Sequence, residues 1–85
     1  MKDAWEIAFD EVDEEVQTAI EKFPSMNSAH EGFSILAEEV DELWEHVRGK
    51  QGLRNVAAMR KEAMQVAAMA IRFMVDVCGL ETGQK

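Results

Sequence analysis

Residues 28–48, SAHEGFSILAEEVDELWEHVR, decide the fold of this chain. Apolar side chains recur here every three or four residues, which is the period of an α-helix with one buried face. This apolar stripe consists of Phe33, Leu36, Ala37, Val40, Leu43, Trp44 and Val47. Ser28 and Glu31 form a predicted capping box at the start, and Gly49 is the predicted terminator. The segment therefore predicts a long amphipathic helix.

Two further helical segments flank this one. The first covers about residues 4–23, begins with Asp3 and Glu6 as a second capping box, and ends before Pro24. Its apolar side consists of Trp5, Phe9, Val12, Val16, Ala19, Ile20 and Phe23. A short loop, residues 49–54, leads to a third helix over about residues 55–78, which Gly79 ends. With no strand-like alternation, we predict an all-α, three-helix fold in one domain, residues 1–85.

The third helix carries an apolar band that is wider than one neighbouring helix needs. The band consists of Val56, Met59, Ala63, Val66, Ala67, Ala70, Ile71, Phe73, Met74 and Val77. Only two other helices are predicted, so we expect a second subunit to cover the rest, in a helical bundle with a two-fold axis. The alternative is a compact three-helix monomer. We expect Trp5, Phe33 and Trp44 to pack in the core and not to stack on bases, because each lies on an apolar stripe.

Composition limits the class of protein. A hydrophobic content of 47% indicates a folded chain, and a formal charge of −8 disfavours nucleic acid polymers and anionic membranes as partners. Cys78 is the single cysteine, so no internal disulfide is expected. The sequence has no leader-like start and no apolar run of about 18 residues. We therefore expect a cytoplasmic protein that does not bind membranes.

An acidic stripe follows the second helix beside its apolar stripe. Glu39, Glu42 and His46 share one face because spacings of three and four residues return to the same side. Residues 38–45 contain five acids and no cation. Such carboxylate clusters suit hard divalent cations, Mg²⁺ or Mn²⁺, although a solvated acidic face is the alternative. For His46 and His30 we favour structural roles over metal ligation.

The third helix adds Glu62 and Gln65 at the same three-residue spacing. Facing the acidic stripe across a bundle, they would bring three carboxylates and an amide to one ion. A carboxylate among apolar neighbours is costly to desolvate without a partner, which favours a functional role for Glu62. The alternative is an ion pair between Glu62 and a nearby cation, for which the candidates are Arg60, Lys61 and Arg72.

A basic segment follows the acidic helix. From residue 48 to residue 61 the chain has five cations and no acid: Arg48, Lys50, Arg54, Arg60 and Lys61. A metal site beside Lys and Arg side chains is what a triphosphate requires, because the cations neutralise the charge that the metal leaves. Ordinary solubilising charge near a helix C-terminus is the alternative.

Residues 38–42 read Glu-Glu-x-x-Glu, and Glu62 begins a Glu-x-x-Gln sequence at residues 62–65. Over about residues 30–77 this pattern resembles the MazG-like all-alpha nucleoside triphosphate pyrophosphohydrolases, whose motifs are Glu-Glu-x-x-Glu and Glu-x-x-Asp. The resemblance implies a helical dimer or tetramer that uses Mg²⁺ to cleave a nucleoside triphosphate to the monophosphate and pyrophosphate. It also implies that Glu39, Glu42 and Glu62 are metal ligands and that Glu38 ligates the metal or orients the attacking water.

One residue departs from this pattern, because Gln65 stands where the family has Asp. Its amide oxygen can coordinate a metal but supplies no negative charge, which weakens the attraction for a cation. The resemblance together with these residues implies a Mg²⁺-dependent nucleoside or deoxynucleoside triphosphate pyrophosphohydrolase. Its catalytic acids would be Glu38 and Glu39, its metal ligands would include Gln65, and its phosphate contacts would be Arg48, Lys50, Arg54 and Lys61. The alternative is a catalytically silent helical module for protein contacts.

Overall fold

The computed structural model describes residues 1–79. Three α-helices, α1 (Ala4–Lys22), α2 (Ala29–Val47) and α3 (Val56–Asp76), follow one another, with a short 3₁₀ helix, Gln51–Leu53, between α2 and α3. Residues 1–79 contain no strand, which confirms the predicted all-α fold. Helix α3 packs against both α1 and α2, whereas α1 and α2 make few contacts with each other. The central position of α3 explains much of the width of its apolar band.

The helix ends show which side chains stop the backbone from fraying. Asp3 and Glu6 form the predicted capping box of α1, with hydrogen bonds of 2.9 and 3.0 Å. At α2 the Ser28 hydroxyl accepts from the Glu31 amide at 3.1 Å. The capping box also predicts that the Glu31 carboxylate accepts from the backbone N–H of Ser28. This part of the prediction is wrong, since the Glu31 carboxylate accepts from the backbone N–H of Asn27 instead.

Glycine was predicted to end both α2 and α3, and it does so in a left-handed backbone conformation only at the end of α3. Gly79 follows α3 with a φ of 64°, a backbone conformation that favours glycine. Among residues 1–79 it is the glycine with a positive φ, so Gly49 does not terminate α2 in this way. Helix α2 instead ends at Val47, and Arg48 caps it in the right-handed region.

The core lies where α1, α2 and the connector between them, residues 23–28, pack against α3. Its buried residues are small or flexible: Ala19, Met26, Ala68 and Met69. Gly32 lets α2 approach α3 closely, because a Cβ at this position would lie 2.7 Å from the Phe73 ring and 3.1 Å from the Met26 sulfur. The connector is therefore part of the core that holds α2 against α3.

Arg72 fixes this connector to α3. Its side chain is 7% exposed and pairs with Asp76 at 2.9 Å. The guanidinium also donates to the carbonyl oxygens of Ala19, Phe23 and Pro24. Asp76 in turn accepts from the Met26 amide at 3.1 Å. These bonds join the end of α1, the connector and α3 in one network. They also offset the cost of burying the Arg72–Asp76 ion pair, because both charged groups have hydrogen-bond partners.

Several predicted core residues lie at the surface of the folded chain, which corrects the sequence prediction. Trp5 is 74% exposed, Phe33 is 67% exposed and Trp44 is 56% exposed. The same is true of other large members of the predicted stripes: Phe9, Ile20, Phe23, Val40, Val56, Ile71 and Met74. The physical reason is that α1 and α2 each pack against α3 and scarcely against each other, so neither buries its whole apolar face.

In the described part of the chain, no helix combines the length and the apolar character that crossing a membrane requires.

Candidate metal centre

Three carboxylates from two helices converge at the contact between α2 and α3. One oxygen each of Glu39, Glu42 and Glu62 lie within 4.8 Å of one another. Glu39 and Glu42 share a face because they are three residues apart on α2, and Glu62 approaches from α3. The structure thus brings together the three acids that the resemblance implies as ligands.

Simultaneous ionisation of all three carboxyl groups in this acid cluster, Glu39, Glu42 and Glu62, is electrostatically unfavourable. The pKa of Glu39 is raised from its ordinary 4.5 to about 7, first by burial and then by the charges of Glu42 and Glu62. A side-chain hydrogen bond with Glu42 adds to the rise, as does the charge of Glu38. Near neutral pH the protein without a metal therefore holds a proton at Glu39 much of the time. A divalent cation is the ligand that would replace this proton most directly.

His46 lies beside the acid cluster. Its Nε2 atom is 3.8 Å from Glu62 Oε2, and the two side chains are 36% and 20% exposed. The sequence interpretation gave His46 a structural role at the helix end. Its position four residues after Glu42 was the signal that pointed to the site.

Two of the alternative partners proposed for Glu62 are engaged elsewhere. Arg60 pairs with Glu11 at 2.6 Å, and Arg72 pairs with Asp76. Lys61 is exposed on α3. Within residues 1–79 the basic side chain that Glu62 contacts is that of His46, at 3.8 Å.

Gln65 lies one turn after Glu62 and contacts a helix that the sequence interpretation did not connect with it. Its Nε2 atom donates a hydrogen bond of 2.6 Å to the Glu15 carboxylate of α1. Glu15 and Gln65 are both partly buried. No sequence pattern pointed to Glu15, because the contact joins residues 50 positions apart through the packing of α1 on α3.

A cavity of about 340 Å³ opens beside the acid cluster. Glu38, Glu39 and Gln65 line it together with a mainly apolar wall. That wall includes Phe23, Pro24, Met26, Ile35 and Met69. A largely apolar cleft of this size with a few polar groups at one side is typical of small-molecule sites.

The predicted phosphate-binding residues lie apart from this cavity lining. Arg48 pairs with Glu45 at 3.1 Å, and Arg54 donates to the Val47 carbonyl oxygen at 2.7 Å. Lys50 precedes the 3₁₀ helix, and Lys61 is exposed on α3. Arg72 is the cation that lines the cavity, although its terminal nitrogens already bond to carbonyl groups and Asp76.

The donor chemistry of the cluster fits a divalent cation. Three carboxylates from Glu39, Glu42 and Glu62 supply oxygen ligands of the kind that Mg²⁺ and Mn²⁺ prefer. Gln65 could add an amide oxygen and His46 an imidazole nitrogen. The arrangement could therefore hold a cation beside a cavity that is large enough for part of an organic substrate.

Comparison with known proteins gave no match to a family model, to a curated protein or to a solved structure.

Proposed function

We propose that this protein is a Mg²⁺-dependent nucleoside triphosphate pyrophosphohydrolase, with Mn²⁺ as an alternative ion. The observation that carries the proposal is the convergence of Glu39, Glu42 and Glu62 within 4.8 Å. These are the acids that the resemblance to the MazG-like enzymes implies as ligands. Repulsion between the three carboxylates destabilises the protein without a cation. A bound cation would offset that repulsion.

The cavity beside the cluster supports a substrate with both an anionic and an apolar part. The phosphates would lie at the acid cluster, where a divalent cation held by Glu39, Glu42 and Glu62 would neutralise their charge and polarise the phosphorus centre. The nucleoside would occupy the wall formed by Ile35, Met69 and the connector. Further phosphate charge would be met by Arg48, Lys50, Arg54 and Lys61 of the basic segment, although Arg48 and Arg54 would first have to leave Glu45 and the Val47 carbonyl oxygen.

The chain's own acids would handle the proton. Water attacks the α-phosphorus, the bond from that phosphorus to the bridging oxygen breaks, and the products are a nucleoside monophosphate and pyrophosphate. Glu38 or Glu39 accepts the proton of the attacking water. Both line the cavity, where the attacking water would have to lie within hydrogen-bond reach of the accepting carboxylate.

Product analysis tests this proposal. The protein is incubated with each common ribo- and deoxyribonucleoside triphosphate and Mg²⁺ or Mn²⁺, and the products are separated by anion exchange. We expect monophosphate and pyrophosphate in equal amounts, and none with Glu62→Gln. Release of orthophosphate would contradict cleavage between the α and β phosphates, and no turnover of any nucleotide would contradict the enzyme.

The second candidate is a catalytically silent helical module that binds another protein through its acidic face. Gln65 favours this reading, because it lacks the charge of the family's Asp and its amide nitrogen is engaged by Glu15. The silent module predicts no Mn²⁺ binding at the cluster, whereas the enzyme requires it. A Mn²⁺ titration of the wild type therefore separates the two candidates before any substrate is known.

We also propose that the protein self-associates, as a homodimer or a homotetramer. Phe33, Val40 and Trp44 form an exposed apolar stripe on α2, at spacings that place them on one helix face. Ile71 and Met74 of α3 are also exposed. Monomeric proteins rarely leave so many large apolar side chains in water, and a second copy supplies a matching surface.

A further inference from the structure

The hydrogen bond between Gln65 and Glu15 fixes the direction of the Gln65 amide. An ionised carboxylate only accepts hydrogen bonds, so the amide nitrogen must face Glu15 and the carbonyl oxygen must point to the other side. Gln65 lines the cavity together with Glu38 and Glu39, and it follows Glu62 by one turn of α3. The amide therefore turns its donor side to α1 and leaves its carbonyl oxygen available to a ligand.

We propose that Glu15 is a positioning residue of the metal centre. It holds the Gln65 amide by its nitrogen, so that the carbonyl oxygen of Gln65 serves as a ligand in place of the missing carboxylate. This inference rests on the proposed function, because it concerns the same ion. It makes α1 part of the site, although none of the metal-binding motif lies on that helix.

A carboxylate bound to the far side of a ligand also changes the strength of that ligand. The negative charge of Glu15 polarises the Gln65 amide and increases the electron density on its carbonyl oxygen. This partly compensates for the charge that an Asp would carry. It also explains why Glu15 and Gln65 suit each other, since an Asp at position 65 would offer Glu15 no donor.

The decisive experiment is a Mn²⁺ titration followed by electron paramagnetic resonance, which measures free Mn²⁺ without any substrate. We expect Glu15→Gln to weaken binding by about tenfold, the lower end of what such outer partners contribute. The matched control is Glu14→Gln, which removes the same charge from the exposed neighbouring position. It should leave the affinity within about twofold, because solvent and salt screen exposed charges.

The side-chain amide of Gln65 gives an independent signal. In ¹H–¹⁵N spectra its resonances should shift when Glu15→Gln removes the charged acceptor. They should also shift when the wild type is titrated with Mg²⁺, which is diamagnetic and therefore used here in place of Mn²⁺. A purely structural contact between α1 and α3 would respond to the substitution but not to Mg²⁺. Gln65 resonances that ignore Mg²⁺ in a wild type that binds it would overturn the inference.

The exchange variant Glu15→Gln with Gln65→Glu covers the case in which Glu15→Gln fails to fold. It restores the hydrogen bond with its direction reversed and moves the carboxylate to α3. We expect a Mn²⁺ affinity at or above that of the wild type, and a tenfold loss would overturn the inference. Unchanged affinity in a folded Glu15→Gln would also overturn it while leaving the metal centre intact. A wild type that binds no Mn²⁺ would instead overturn the proposed metal centre itself, and this inference with it.

Discussion

His46 Nε2 lies 3.8 Å from Glu62 Oε2, so an imidazole of α2 meets the acid that α3 contributes to the cluster. This contact adds a nitrogen donor beside three carboxylates. Imidazole ligands suit transition metals such as Co²⁺ and Zn²⁺, whereas Mg²⁺ prefers oxygen. The site could therefore discriminate between Mg²⁺ and softer ions through this one side chain.

We expect His46→Gln to weaken Co²⁺ binding by about tenfold, equivalent to about 1.4 kcal/mol, and to change Mg²⁺ binding much less. The physical reason is that the substitution removes a nitrogen ligand and leaves the carboxylates in place. Competition titrations measure both affinities, and the visible spectrum of Co²⁺ reports the loss of nitrogen coordination. His30→Gln, at an exposed position in the first turn of α2, is the control. An unaltered Co²⁺ spectrum in His46→Gln would exclude His46 from the site.

Glu42→Gln and Glu62→Gln should each abolish divalent binding and leave the helical fold intact. Each removes a charged ligand from the cluster and also relieves like-charge repulsion, which should raise the stability of the metal-free protein by about 0.5 kcal/mol. Calorimetry with Mn²⁺ and thermal melts followed by circular dichroism measure the two effects. Glu45→Gln, which changes an exposed acid paired with Arg48, is the control. If both variants bind Mn²⁺ as the wild type does, these acids are not its ligands.

The raised pKa of Glu39 predicts how stability depends on pH. The folded state binds this proton more tightly than the unfolded chain, because the pKa is about 7 when folded and near 4.5 otherwise. The resulting stabilisation is complete below the unfolded pKa and is lost as pH rises through the folded one. The metal-free protein should therefore lose stability between about pH 5 and about pH 8 on account of Glu39.

Urea unfolding of the wild type and of Glu39→Gln at several pH values checks this contribution. The variant cannot titrate at position 39, so its loss of stability over this range should be smaller than that of the wild type. Saturating Mg²⁺ should reverse the trend in the wild type, because a cation binds the ionised carboxylate and stabilises the folded state. Parallel pH profiles of the two proteins without metal would show that Glu39 is not coupled to folding.

Self-association should depend on the exposed stripe of α2. We expect sedimentation at micromolar concentration to show a dimer or a tetramer, and Phe33→Lys with Trp44→Lys to shift it to a monomer. Since both side chains are exposed in the protomer, the helical content should persist. Trp5→Lys, which alters an exposed aromatic on α1, shows whether the effect is specific to α2. A well-folded wild-type monomer would contradict the proposed association.

The features that the sequence predicted well depend on interactions between residues that are close together in the chain. The helix bounds, the capping box of Asp3 and the glycine end at Gly79 follow from residues within one or two turns. The convergence of Glu39, Glu42 and Glu62 followed from periodicity, because an acidic stripe beside an apolar one must lie near the helix that covers the apolar one.

The features that the sequence did not predict depend on which helices become neighbours. Periodicity gives the face that a helix buries but not how much of it, so the exposure of Phe33 and Trp44 was missed. The bond from Gln65 to Glu15 and the network around Arg72 join residues about 50 positions apart. Both arise because α3 lies between α1 and α2, an arrangement that no local pattern encodes.

Gln65→Asp tests the one position where the motif of the MazG-like family and this sequence differ. The new carboxylate would lie one turn from Glu62, where it can share the ion, so divalent binding and any pyrophosphohydrolase activity should increase. Without metal the variant should be less stable than the wild type. It adds an anion near the cluster and loses the hydrogen bond to Glu15, and a bond to a charged partner contributes about 1.5–3 kcal/mol.

Gln65→Asn separates the charge of the new side chain from its length. Asn and Asp have nearly the same shape, so both shorten the side chain equally and differ in whether position 65 carries a negative charge. A ligand that binds only the folded state stabilises it more as the ratio of ligand concentration to Kd increases. Added Mg²⁺ should therefore raise the melting temperature most in Gln65→Asp, which is expected to bind it most tightly. The shift should be smaller in the wild type and smallest in Gln65→Asn, which loses the positioned carbonyl without gaining a charge. Equal Mg²⁺-induced shifts in the Asp and Asn variants would mean that position 65 does not face the ion, and the departure from the family motif would then have no bearing on metal binding.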